Sequence, residues 1–253
     1  MTGTPKDAVA WHELECGAYR EDLALWLALA ERFGAPVLEV GAGTGRVALT
    51  LACAGHATTA LDHDERLLAE LERRADELAA SSLLARELVE VVVADARAFR
   101  LRRLFTLIIV PMQTLQLLGG IDGRSAFLRC AAAHLAPGGS LAAAVATELE
   151  PFDVRDGAAA PEADVASYPD ALYRSQPTAV RVDGDGFVLE RRRELVRAGG
   201  RRRRSLEMIR IDRVDLAALR GEALGAGLRM GAAHRISATA EHVPTEVVLF
   251  NCS

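Results

Sequence analysis

Apolar positions recur along this chain with two different periods. Within residues 7–33, Leu23, Trp26, Leu27, Ala30 and Phe33 fall three or four apart, which predicts helix over that stretch. Gly34 and Pro36 then break the pattern. Val37–Val40 is a short continuous apolar run around one acid, and reads as a buried strand. Helix follows over 44–54, strand over 57–61, and a helix to about residue 80 that Asp64 can cap. Strands are expected at 89–93 and 104–110, the second stopped by Pro111. A helix over 124–135 leads through the turn signal Ala136-Pro137-Gly138-Gly139-Ser140 into a strand at 141–146.

Continuous apolar strands alternating with helices indicate a parallel sheet covered on both faces. Right-handed crossovers make it a doubly wound α/β fold. In such sheets ligands lie beyond the carboxyl ends of the strands, near the point where strand order reverses. Glu39–Gly45, Asp62, Asp95, Pro111–Gln113 and Glu148 all fall at that edge.

The period changes after residue 146. Residues 147–178 are rich in Ala, Pro, Asp and Glu and are expected to be irregular. Strict alternation then predicts antiparallel strands near 179–183, 186–196 and 203–211, joined at Asp183-Gly184-Asp185-Gly186 and Ala198-Gly199-Gly200. A helix over 215–227 and strands near 228–237 and 245–251 end the chain. The expected divisions are a helical cap (1–36), a ligand-binding core (37–146), a substrate-binding insertion (147–212) and a C-terminal part completing the core sheet (213–253).

Composition narrows the class of ligand. The 253 residues carry a net charge of −5, so no basic field points to nucleic acid. No apolar run approaches the roughly 20 residues a bilayer span needs, and the first residues lack a secretion signal. Cys16, Cys53, Cys130 and Cys252 are scattered, so a disulfide framework or zinc site is not expected and a reducing cytoplasm is. No metal is called for. Lys6 is the only lysine, which excludes any mechanism needing a lysine within the domain.

The stretch "VLEVGAGTGRVALTL", Val37–Leu51, places glycines between a strand and a helix. Gly41 and Gly43 permit a tight turn and close approach of a ligand to the backbone. A following helix start would favour negative charge. Asp62 lies 21 residues beyond Gly41, where a carboxylate can accept both hydroxyls of a ribose. A dinucleotide fingerprint needs a small residue where Arg46 stands. A Walker loop needs Gly-Lys-Ser/Thr, which is absent. A ligand with an adenosine and a carboxylate but no phosphate fits better.

In these segments the chain resembles the class I S-adenosylmethionine-dependent methyltransferases, in particular small-molecule enzymes of bacterial secondary metabolism. "EVGAGTG" (Glu39–Gly45), "ALDHD" (Ala60–Asp64), "VADAR" (Val93–Arg97), "FTLIIVPMQTLQLL" (Phe105–Leu118) and "LAPGGSLAAAV" (Leu135–Val145) carry the resemblance. It implies a Rossmann-like, doubly wound, seven-stranded, mostly parallel sheet with helices on both faces. A small antiparallel β insertion would cover the active site. It implies S-adenosyl-L-methionine as cofactor and a small organic acceptor, with a homodimer left open.

The resemblance also implies roles. Glu39 would orient the loop or meet the amino group of the methionine part, with Gly41, Ala42 and Gly43 against it. Asp62 would bind the ribose, with His63 beside the adenine. Asp95 would bond the adenine amino group and the Ala96 N–H a ring nitrogen. The backbone at Val110 and Pro111 would hold the amino-acid end. Met112 and Gln113 would stand near the transferred methyl, and Tyr19 would close over the carboxylate.

For the acceptor, the residues point to a pocket built by the leading helix, the loop after the fourth strand and the insertion. Its expected lining is Trp11, Gln113, Gln116, Glu148, Tyr168 and Tyr173. Trp11 and the tyrosines either contact a cationic amine or pack the insertion. Glu148, Gln113 and His12 are the candidate catalytic groups, Glu148 being either a base and amine anchor or a plain surface acid. His134 is expected to be structural, and Arg201–Arg204 a solvated hairpin start. N-methylation is favoured over C- or O-methylation. The alternative from another enzyme class is an NAD(P)-dependent oxidoreductase; a non-catalytic interaction module is a third reading.

Overall fold

The protein is described here from a computed structural model covering residues 4–147, 149–239 and 242–252. Strands β1 (Val37–Val40), β2 (Thr58–Asp62), β3 (Val89–Val93), β4 (Phe105–Val110) and β5 (Leu135–Ala146) run parallel. β11 (Leu228–Ile236) and β12 (Thr245–Cys252) join them, β12 pairing antiparallel with β5. The order is β11-β12-β5-β4-β1-β2-β3, seven strands that reverse direction of growth between β1 and β4. This is the Rossmann-like, doubly wound sheet expected for class I methyltransferases.

Alternate residues of each central strand point to opposite faces, and both faces are buried. Leu38, Ile108, Val110, Ala143 and Val145 pack on α5 (Gly120–His134) and α6 (Leu216–Gly225) through Phe127, Leu128, Leu219 and Ala223. Val37, Leu107, Ile109, Ala142 and Ala144 pack on α2 (Leu23–Phe33) and α3 (Ala48–Cys53) through Trp26, Leu29 and Leu51. α4 (Glu65–Ala80), capped by the Asp64 carboxylate on Arg66 N–H, buries Leu68, Leu71 and Ala75 against β2, β3 and α3. Each fully buried large side chain contributes about 1.5–3 kcal/mol of apolar transfer.

A second sheet has the order β10-β9-β8-β6, with β7 also on β8. Its strands are β6 (Phe152–Asp153), β7 (Asp164–Tyr168), β8 (Ala171–Asp183), β9 (Gly186–Arg197) and β10 (Arg202–Asp212). The expectation of an irregular 147–178 is corrected here. Tyr168-Pro169-Asp170-Ala171 turns a hairpin between β7 and β8. The polar residues that masked it pair across the strands or face solvent.

The single helix expected over 7–33 is also corrected. α1 (Pro5–His12) runs into a π-helical turn, Glu13–Gly17, and breaks before α2. Its apolar stripe serves two partners: Ala10, Trp11 and Leu14 pack on the second sheet, whereas Trp26 and Leu29 pack on the first. β5 starts at Leu135 rather than 141, because Ala136–Gly139 bulges out of its ladder with β4. α5 starts at Gly120, and Gly123 is required within it because a Cβ would meet the Leu118 carbonyl. Among the described residues, no helix is long and apolar enough to cross a membrane.

Candidate functional site

The glycine loop after β1 is held by strand two. Gly41 and Ala42 N–H groups both donate to the Leu61 carbonyl, at 2.8 and 3.1 Å. Gly43 N–H donates to Asp62 Oδ2 at 2.9 Å, and Asp64 N–H to Asp62 Oδ1 at 2.9 Å. Gly45 N–H closes a turn on the Ala42 carbonyl. The four loop donors, Gly41, Ala42, Gly43 and Gly45, are therefore committed inside the fold, unlike the phosphate-cradling loop of a nucleotide site. α3 begins only at Ala48 and is six residues long, so the helix start expected at 44 is corrected to a turn.

Close approach explains the glycines. A Cβ on Gly41 (φ +76°) would lie 2.5 Å from Thr114 Cγ2, and one on Gly43 (φ +54°) would overlap the His12 imidazole. The leading segment and the loop after β4 thus both press on the glycine loop. His12 Nδ1 is 3.3 Å from Thr44 Oγ1, and the Thr44 hydroxyl donates to the Glu13 carboxylate. Burial pushes the His12 pKa down, against opposing pulls from Glu13 and Asp62. Thr44 and Thr114 lie inside segments that carry the family resemblance but drew no role from it, and Glu13 lies in no such segment.

Acids dominate this edge. Glu39 is fully enclosed under the loop, and its Oε2 has no hydrogen-bond partner. Burial raises its pKa to about 8, partly offset by the Arg46 charge. Asp62 is buried and Asp95 is exposed; Arg97 grips Asp95 through Nε and Nη2, holding its pKa down at about 2. His63 projects into solvent with Nδ1 3.2 Å from Asp62 Oδ1. Ala96 is half-buried beside Asp95.

Arg46 does not crowd the loop. Its guanidinium turns to the leading segment, donating to Asp22 at 2.5 and 2.7 Å and to the Tyr19 carbonyl at 3.0 Å. Asp22 also accepts from Trp26 Nε1 at 2.8 Å. Tyr19 is buried with its ring against both the Arg46 guanidinium and the His242 ring, and burial raises its pKa to about 12.

Val110 and Pro111 are buried at the end of β4. Met112 follows with φ +55°, a left-handed conformation that is unfavourable for a residue with a side chain. Gln113 is half-buried and begins the single helical turn Thr114–Leu117.

The expected acceptor contacts divide. Gln116 is 1% exposed and its amide is bonded to backbone on three sides, so its assignment to the acceptor is corrected. Tyr173 is likewise buried, donating to Asp7 at 2.6 Å, which corrects its assignment too. Trp11 packs edge-on against Tyr173, 4.9 Å between centroids, under the Arg193 guanidinium. Tyr168 is 44% exposed and stands edge-on to Tyr173. Glu148 lies outside the described residues. His134 accepts from Leu101 N–H at 2.9 Å, a structural clasp. Among the described residues, no cluster of three or more His, Cys, Asp or Glu side chains could hold a metal.

Residues 37–139 match the family described as a methyltransferase domain. Over those residues the chain carries a methyltransferase domain. The chain has no match among curated proteins. It is similar in fold to the CcbJ methyltransferase of Streptomyces caelestis, at 23% identity and a TM-score of 0.70 over 94% of this chain and 98% of that one. CalS10, an amino pentose methyltransferase of Micromonospora echinaspora involved in calicheamicin biosynthesis, is 18% identical with a TM-score of 0.69 over 98% of each chain. The sugar N-methyltransferase KedS8 of a Streptoalloteichus species is 18% identical with a TM-score of 0.71, over 98% of this chain and 93% of that one. The family match sets the oxidoreductase reading aside for the methyltransferase.

Proposed function

We propose that this methyltransferase transfers a methyl group to an amine nitrogen of a small organic acceptor. One observation carries the cofactor part: the N–H groups of Gly41, Ala42 and Gly43 are committed to strand two, while Glu39 keeps an unpaired buried oxygen. An acidic edge without free donors from those glycines disfavours a pyrophosphate. It suits a ligand whose amino-acid end carries an ammonium, which would satisfy Glu39.

In this reading Asp62 accepts the ribose hydroxyls with the lone pairs its two backbone bonds leave free. Asp95 shares its carboxylate between Arg97 and the adenine amino group, with Ala96 N–H and His63 alongside. Val110 and Pro111 hold the amino-acid end, and Met112 and Gln113 face the reacting centre.

Bound S-adenosylmethionine supplies an electrophilic methyl group on a sulfonium. The chain's part is alignment of the acceptor, worth several kcal/mol, and acceptance of the proton an amine sheds once methylated. His12 suits the second task. Thr44 donates to Glu13, so its oxygen is free to accept from His12 Nδ1–H. That leaves Nε2, on the glycine-loop side, as a bare acceptor, kept neutral by burial. The amine assignment draws support from neighbours described as a sugar N-methyltransferase, a glycopeptide N-methyltransferase and an amino pentose methyltransferase.

Two measurements test the reading. Calorimetry should show S-adenosylhomocysteine binding and no NADH binding. A panel of amines and amino sugars, incubated with S-adenosylmethionine, should give N-methylated products by mass spectrometry. Binding of NADH alone overturns the cofactor part; products methylated only on oxygen or carbon overturn the amine part.

A further inference from the structure

Gln116 occupies a position that its place in the sequence does not reveal. The chain leaves the seven-stranded sheet after Ala146, the last residue of β5, and completes the second sheet at Asp212, the last residue of β10. Gln116 Nε2 donates to the Ala146 carbonyl at 3.1 Å and to the Asp212 carbonyl at 2.9 Å. Its Oε1 accepts from Ala146 N–H at 2.8 Å. Both amide donors are spent, one on the exit point of the excursion and one on its return point.

The return point is secured again nearby. Asp212 Oδ2 accepts from Gly120 N–H at 2.6 Å and lies 3.6 Å from Arg124 Nη1. Arg124 in turn holds Glu222 of α6 at 2.7 and 3.0 Å. On its other side, Gln116 N–H donates to the Gln113 carbonyl at 2.8 Å. The turn that carries Gln116 is therefore continuous with Met112 and Gln113.

We propose that Gln116 is a positioning residue: it pins both ends of the 147–211 excursion to the turn after β4 and so sets where the acceptor lies relative to Met112 and Gln113. This rests on the reading that the excursion covers the acceptor. It assigns Gln116 no contact with acceptor or cofactor. Its effect on transfer arises because a displacement of about 1 Å between reacting groups can cost roughly 100-fold in rate.

Gln116→Met keeps the bulk and removes all three side-chain bonds. Hydrogen exchange of the full chain should then speed up across 149–211 while 37–110 keeps its protection. S-adenosylhomocysteine affinity should stay within about twofold. Turnover of the best amine from the panel should fall roughly 10- to 100-fold. Unchanged exchange in the excursion, or equal loosening of both sheets, overturns the proposal. Gln116→Glu supplies a second test if the first variant does not fold. Its protonated form keeps one donor and its ionised form none, so protection of the excursion should recover as pH falls, relative to wild type. A wild-type pH profile of protection in that variant overturns the proposal. Failure of the wild type to bind S-adenosylhomocysteine would instead strike the functional reading, since the exchange comparison does not depend on it.

Discussion

Asp62 and Gly43 are joined across the sheet edge, Oδ2 accepting the Gly43 N–H at 2.9 Å, so the acid assigned to the ribose also shapes the loop beneath it. Asp62→Ala removes this bond and the one from Asp64 N–H. Each is a hydrogen bond to a charged group, worth about 1.5–3 kcal/mol. The expected outcome is a stability loss of about 3–6 kcal/mol in urea and at least a roughly tenfold weaker S-adenosylhomocysteine affinity. Unchanged affinity in calorimetry would remove the ribose assignment.

Gly43 pairs left-handed backbone with a neighbour that leaves no room. Gly43→Ala places a Cβ into the His12 ring and costs about 1–2 kcal/mol in backbone conformation alone. Both the melting temperature and S-adenosylhomocysteine affinity should fall. His12→Ala in the same background should restore part of the stability, which thermal melts of the three variants can read.

The Asp22–Arg46 pair is nearly enclosed, with side chains 2% and 9% exposed. Removing one partner leaves a buried charge, at a cost of about 3–5 kcal/mol. Asp22→Ala and Arg46→Ala should each destabilise by that order. The double variant should be less destabilised than the sum, a coupling that a denaturant double-mutant cycle measures directly.

Glu39 predicts a pH dependence with a definite sign. Its pKa rises from the ordinary 4.5 to about 8 in the folded chain. Between those values the folded state holds a proton that the unfolded state has lost. The stabilisation is complete below 4.5 and declines as pH rises toward about 8. Glu39→Gln should flatten that part of the melting-temperature profile. If the cofactor's ammonium meets Glu39, binding at pH 7 should release a proton. The apparent binding enthalpy of the wild type, but not of the variant, should then vary with buffer ionisation enthalpy.

His12 gives a second pH signature. Its depressed pKa means the neutral ring persists to lower pH than an exposed histidine would allow. The step that His12 contributes to the pH profile of kcat should therefore lie below the ordinary histidine range. His12→Gln, which keeps polarity but accepts a proton poorly, should lower kcat while leaving S-adenosylhomocysteine affinity near wild type. An unchanged kcat would exclude His12 as the proton acceptor.

The sheet was legible because its strands are runs such as Phe105–Val110, buried on both faces, where apolarity alone fixes strand and layer. The glycine loop, Asp62 and Asp95 were legible because each follows a strand directly and spacing places them at one edge. Three features were not. The break of the leading helix at Glu13–Gly17 comes from one apolar stripe serving two sheets, which periodicity cannot separate. The β7–β8 hairpin is too polar to alternate visibly. Gln116 looked like a pocket residue because a turn after β4 borders the site; only its bonds to Ala146 and Asp212, 30 and 96 residues away, show it to be buried structure. Local spacing determines elements and the edge they share. Which polar groups face a ligand and which are consumed holding distant segments together is settled by long-range hydrogen bonds, and these exist only once the chain has closed on itself.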